Sequence, residues 1–220
     1  MKKILIAIIA LLCVSKISNA QTEKGNQTLG VNLSYSYIKS SNYSTNSGSG
    51  PATQTNNNKS FNIGPDYSYF IADNLDLGVS LQYGTNSQDN GYNNQYANQH
   101  GHGYGADLFL RKYCLYDHKV GIRAGGHVGY TYGYTQYANS GNNSFYDYSS
   151  KSNSYIAGAG LELVYYPAKK LGVAASMGNI SYTHAKVDSG NQGSTKLDNF
   201  NFSFINNGLT MSAFYTFGGK

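Results

Sequence analysis

Beyond its first twenty residues the chain has no apolar run approaching the roughly 18 residues that a membrane helix needs. A helical membrane span is therefore excluded from that part. Two cysteines are present, and Cys13 falls in the leading apolar segment, so Cys114 has no intramolecular disulfide partner. Whatever fold forms must hold without a covalent staple. Charge is scarce as well, at 12% of residues. The formal net charge of +5 counts Lys2, Lys3 and Lys16; without them thirteen cations face eleven acids, and Lys and Arg form no cluster of the kind nucleic acid requires. The composition argues against a nucleic-acid partner.

What the chain does have begins with an export signature. Lys2 and Lys3 give a basic start, Ile4 to Val14 an apolar core, and Ser18-Asn19-Ala20 a small-residue exit. Residues 1–20 are expected to be a signal peptide and 21–220 a single domain starting at Gln21. Leu12 stands before Cys13, where a lipoprotein signal has a small residue, so lipidation is not expected.

After the signal, every second residue is aliphatic or aromatic and those between are Gly, Ser, Asn or a charge. Leu29, Val31, Leu33, Tyr35 and Tyr37 alternate with Gly30, Asn32, Ser34 and Ser36; Leu75, Val79, Leu81 and Tyr83 alternate with Asp76, Ser80, Gln82 and Gly84. Side chains on a strand point to opposite faces with a period of two, so each segment is a strip with one oily face and one small, polar face. A soluble sandwich shows that alternation too. A closed sheet whose inner face is polar and whose outer face meets lipid fits it better.

Eight strips are read, at 28–39, 59–70, 74–84, 103–113, 119–136, 153–166, 171–182 and 200–217. Between them long polar connections (40–58, 85–102, 137–152, 183–199) alternate strictly with short ones (71–73, 114–118, 167–170). The expected fold is all-β: an eight-stranded antiparallel up-and-down transmembrane β-barrel with four long extracellular loops and three short periplasmic turns. Tyr35, Tyr37, Phe61, Tyr83, Tyr104, Tyr130, Tyr132, Tyr134 and Tyr182 mark an outer aromatic belt. Tyr67, Tyr69, Tyr113, Tyr165, Tyr215 and Phe217 mark an inner one, with aliphatics between. The apolar parity breaks near Gly178-Asn179 and again near Asn206-Asn207-Gly208. Two bulges would restore the faces, or residues 200–205 form a separate element.

With these features the chain resembles the small outer-membrane β-barrel family of Gram-negative bacteria, which takes in OmpX-like, OmpW-like and OmpA transmembrane barrels. The resemblance rests on the signal, the eight strips, the long-short connections and the ending Met211-Ser-Ala-Phe-Tyr-Thr-Phe217. It implies a place in the outer membrane among its lipids. It also implies delivery by the barrel-assembly machinery, for which Tyr215 and Phe217 would be the signal. Gly218, Gly219 and Lys220 follow that Phe, which is a departure from the family pattern.

Few ionisable residues fall on the inner face. Asp66, Asp76, Arg111, Arg123 and Glu162 gather toward the periplasmic half, with Asp107 higher, and form an interior charge cluster read as a structural plug or a gate. His127 and Thr131 share that face, but no nucleophile, base and orienting group stand at catalytic spacing. No catalytic residue is assigned. His100 and His102 offer two imidazoles, too few for a tight metal site, and no cofactor is expected. The polar connections, rich in Asn, Ser, Gly and Tyr, point first to envelope structure or contact with an extracellular ligand or host surface. A narrow porin-like channel comes second and a lipid-modifying enzyme third.

Overall fold

The computed structural model describes residues 21–46, 50–92, 95–141, 144–189, 193–204 and 209–218. The expected signal peptide lies outside them. Nine antiparallel strands are present among the described residues: β1 Gln27–Asn46, β2 Gly50–Ala72, β3 Leu75–Tyr92, β4 Gln95–Tyr116, β5 Val120–Gly141, β6 Ser144–Ala168, β7 Leu171–Asp188, β8 Ser194–Phe204 and β9 Leu209–Phe217. From β1 to β7 each strand pairs with the next, and β9 pairs with both β7 and β1. The sheet thus closes on itself as a barrel of eight staves.

The eighth stave is divided. β9 runs beside Leu171 to Ala175 of β7 and beside β1 as far as Tyr35, while β8 continues along β7 from Gly178 to Asp188. Above Tyr35, β1 and β8 do not pair with each other among the described residues, which leaves a seam in the outer half of the wall. The eighth strip read from the sequence is therefore two strands, and of the two alternatives the structure adopts a separate element, which runs from Ser194 to Phe204 rather than starting at 200. The parity break near Gly178 is a bulge: Leu161 pairs with Gly178 and Glu162 with Ser176, leaving Met177 as the extra residue. The second break, at Asn206-Asn207-Gly208, lies outside the described residues.

Short turns close one end of the barrel at Asp73-Asn74, at 117–119 and at Lys169-Lys170. At Asp117 and His118 both φ values are positive, 47° and 52°, and Lys119 N–H donates to the Tyr116 carbonyl at 3.0 Å. Such a turn twists the way its flanking strands twist. At the other end the strands run on through most of the segments read as long loops. β1 to β7 are 18 to 25 residues long, where a bilayer needs about 9–11. Beyond the membrane both faces of a hairpin meet water, so the hydrophobic alternation that marks a strand fades while the backbone pairing continues.

The outward rows show where lipid ends. Along β1 the row Leu29, Val31, Leu33, Tyr35, Tyr37 gives way to Lys39; along β2 Phe61 gives way to Lys59, along β3 Tyr83 to Thr85, and along β7 Tyr182 to His184. Ring pairs such as Tyr104–Tyr132 and Tyr130–Tyr155, with centroids 5.1 and 5.4 Å apart, tie this belt across strands. Cys114 also faces outward.

The lumen of an eight-stave barrel is narrow, and here its large side chains are seated on glycines directly opposite. Gly30 faces Asp66, Gly78 faces Phe109, Gly125 faces Arg111, Gly129 faces Asp107 and Gly172 faces Phe214. A Cβ at any of these five would overlap the residue it faces. Gly172→Ala is therefore expected to lower barrel stability by about 1–3 kcal/mol through overpacking against Phe214. Urea unfolding of the purified barrel checks this, and an unchanged midpoint would show that the Phe214 ring has room to move.

Candidate functional site in the barrel interior

Strand parity decides which side chains enter the lumen. Asp66, Ser68 and Phe70 of β2, Asp76 of β3 and Asp107, Phe109, Arg111 and Tyr113 of β4 all point inward. So do Arg123 and His127 of β5, Glu162, Val164 and Tyr166 of β6, and Ser212 and Phe214 of β9. Register then sets the pairs, since Asp76 lies opposite Arg111 and Arg123 opposite Glu162.

Arg111 grips Asp76 with two bonds, Nε to Oδ1 at 3.1 Å and Nη2 to Oδ2 at 2.7 Å. Parallel bonds of this kind fix both the orientation and the charge state of the pair. Asp76 also accepts from Ser68 Oγ at 2.7 Å and from the Tyr113 hydroxyl at 3.0 Å. Arg123 donates through Nε to Glu162, through Nη1 to the Tyr113 hydroxyl at 3.2 Å and through Nη2 to Ser212 Oγ at 3.0 Å. Its guanidinium also lies 5.1 Å from the Phe214 ring centre, and that of Arg111 lies 3.8 Å from that of Phe109. One tyrosine hydroxyl, accepting from Arg123 and donating to Asp76, joins the two ion pairs into one network.

Of the six residues expected in the charge cluster, the structure brings four together. Asp76, Arg111, Arg123 and Glu162 form the network. Asp66 and Asp107 face the lumen but accept from amides instead, Asp66 from Asn32 at 3.2 Å and Asp107 from Gln82 at 3.0 Å. Tyr113 is a correction: the sequence reading set it in the inner aromatic belt facing lipid, but it is buried, with 2% exposure, at the centre of the network. Its parity, shared with Asp107, Phe109 and Arg111, was the available signal. Ser68 and Ser212 had no distinguishing signal among many inward serines.

Beneath the network lies an aromatic layer. Phe70 packs on Tyr113 and Tyr166 meets Phe214 edge-on, with ring centres 5.4 and 5.5 Å apart. Beneath that, residues 21–26 cross the mouth of the barrel as a strap. Asn74 N–H donates to the Thr22 carbonyl and Gly25 N–H to the Phe70 carbonyl, while the Gln21 amide reaches the Ala168 carbonyl on the far side. Gln21, Thr22 and Asn26 are all buried. The sequence carried no pattern that marks this strap.

Above the network the lumen widens into a polar cavity of about 490 Å³, lined by Asn32, Gln82, Asp107, His127, Asn179 and Ser181 among others. His127 makes no hydrogen bond to a serine or threonine among the described residues. His100 and His102 face outward on β4, the latter against the Tyr134 ring at 5.4 Å. Among the described residues no three His, Cys, Asp or Glu side chains converge as metal ligands. Tyr215 and Phe217 stand at the inner end of the outward row of β9, paired with Leu29 and Gln27 of β1.

A closed ring of strands, oily outside and polar within, bounded by aromatic belts, defines an integral barrel of the outer membrane. Residues 4–205 match the family described as "Outer membrane protein beta-barrel domain", and the chain belongs to that family. No curated protein matches it in sequence. Among solved structures it is similar to Ail, the attachment invasion locus protein of Yersinia pestis, at 15% identity and a TM-score of 0.40, covering 89% of this chain and all of that one. It is also similar to the outer membrane protein OprG from Pseudomonas aeruginosa, at 14% identity and a TM-score of 0.46, covering 91% of this chain and all of that one.

Removing one member of a fully buried ion pair costs roughly 3–5 kcal/mol; Arg123 is buried but the Glu162 side chain is 28% exposed to the cavity, which sets that range as the upper bound here. Arg123→Ala is expected to lose stability in urea up to that bound, and combination with Glu162→Gln to recover a large part of it. Tyr113→Phe, which removes the shared hydroxyl and leaves both pairs, is expected to cost less than Arg123→Ala. An Arg123→Ala barrel as stable as the parent would show that the network does not hold the base together.

Proposed function

We propose that the protein is a structural and surface-contact barrel of the outer membrane that does not conduct. The observation that carries this reading is the base of the lumen, where the ion-pair network, the aromatic layer and the strap are stacked one on another. Asp76 and Arg123 are exposed by no more than 2%. A hydrated ion would have to displace paired charges that hold each other. The outer ends of the strands favour surface contact: from Tyr37 to Asn46, β1 continues for about 30 Å at 3.3 Å per residue, and Tyr37, Ile38, Lys39, Ser40 and Ser41 are exposed on it. Tyrosine with small polar residues offers broad contact area and adaptable hydrogen bonding. A host surface or other extracellular ligand is the partner this would serve.

Two further roles belong to the same reading. Tyr215 and Phe217 act as the assembly signal through which the barrel machinery takes up the last strand. An enzymatic role is not part of this reading: among the described residues His127 is hydrogen-bonded neither to a nucleophile nor to a carboxylate.

Planar-bilayer recording of the purified barrel is expected to give no resolved current steps, and regular steps in the parent protein would replace this reading with a channel. The surface role is checked by joining Thr85 to His102 through a two-residue turn, which removes the outer part of the β3–β4 hairpin. This variant is expected to keep the slower mobility on boiling that marks a closed barrel, and to lose adhesion of displaying cells to coated surfaces. Unchanged adhesion would remove that hairpin from the contact.

A further inference from the structure

The outward face of β7 and β8 changes character over three rungs. Ile180 lies opposite Phe202 and Tyr182 opposite Phe200; His184 then faces Asp198, and Lys186 faces Lys196. Phe200 and Phe202 are 67% and 72% exposed, more than the apolar residues elsewhere on the belt except Tyr116. Asp198 is already engaged, accepting from the Tyr182 hydroxyl at 2.6 Å and lying 2.8 Å from His184 Nδ1. Asp188, one rung above, lies opposite Lys151 of β6. Neither Lys186 nor Lys196 has a carboxylate within salt-bridge distance among the described residues.

Two ammonium groups directly opposite on one face of a sheet repel and destabilise the pairing. The arrangement becomes favourable when an anion sits between them. Its height says which anion: the lysine rung stands two outward rungs above the Tyr182–Phe200 belt, about 13 Å along a tilted strand and so about 9 Å in height, at the level of headgroups. Across the seam a second lysine pair, Lys39 and Lys59, stands diagonally on β1 and β2, just above Tyr37 and Phe61. Resting on the reading of this end as the outer one, we infer that the Lys186–Lys196 rung binds the phosphorylated headgroup of an outer-leaflet lipid, whose acyl chains lie along Phe200, Phe202 and Ile180. Free phosphate would use the ammonium groups but have no call on the phenyl rings below them, and an acidic surface polymer would engage the lysines from the water side alone.

The test uses the full barrel reconstituted in phosphatidylcholine vesicles with and without bisphosphorylated lipid A, and the double variant Lys186→Gln, Lys196→Gln. At roughly 1 kcal/mol for each lysine near an anionic surface, the variant is expected to retain lipid A about thirtyfold more weakly by native mass spectrometry. In phosphatidylcholine alone, where the charge of Asp198 offsets only part of the repulsion, the same variant is expected to unfold at equal or higher urea than the parent. That reversal also shows that it folds. Equal lipid A retention by parent and variant, or equal retention of dephosphorylated lipid A, would overturn the site. So would inorganic phosphate or an acidic polysaccharide competing as well as lipid A. Labelling of a tag at Asp117 from outside intact cells would instead overturn the orientation, and with it the surface reading.

Discussion

A backbone in hydrocarbon has no water to bond with, so every N–H and C=O that crosses the lipid must find its partner within the sheet. Closing the sheet meets that demand without helices, disulfides or a conventional core. It also inverts the protein: Leu29, Val31, Leu33, Val79 and Leu108 face out, and the polar side chains are confined to the lumen. Confinement turns the interior into a problem of volume and charge. The glycines opposite Asp66, Arg111, Phe109 and Phe214 answer the first, and the Tyr113-centred network answers the second.

That network shows how charge is accommodated in a dry, narrow space. Neither arginine is left with a single partner; Arg111 has Asp76 and a phenyl ring, and Arg123 has Glu162, Tyr113, Ser212 and the Phe214 ring. Buried pairs are costly when imperfect, and the serine and tyrosine hydroxyls fill the remaining donor and acceptor positions. The layer below is apolar and the one above is wet. The charged layer is therefore the boundary between a closed base and an open vestibule.

Where a strand has lipid on one face and lumen on the other, its sequence alternates, and the membrane half of the barrel was legible for that reason. The turns at Asp73-Asn74 and 117–119 were legible because short polar breaks interrupt the alternation. The outer hairpins were not: residues such as Asn56, Asn57 and Asn58 are polar on both faces, and no periodicity records that they are paired with Asn90, Asp89 and Gln88. Of the interior site, Asp76, Arg111, Arg123 and Glu162 could be read because charge is rare on these strips. Tyr113 was misread because tyrosine suits a belt as well as a lumen, and only counting from Arg111 tells them apart. The strap at 21–26 is irregular chain, with no period to read.

The pairing of each bulky luminal side chain with a glycine on the next strand has an evolutionary consequence. A larger residue at Gly129 requires a smaller one at Asp107, and a smaller residue at Phe214 leaves a hollow that Gly172 and Gly30, opposite it on the two adjacent strands, are placed to fill. Single changes within the lumen are thus penalised in either direction, whereas the outer rows need only stay apolar. In such a barrel the lipid-facing surface drifts one residue at a time, and the lumen changes in couples, so that covariation between adjacent strands would trace the interior more faithfully than the identity of any one residue.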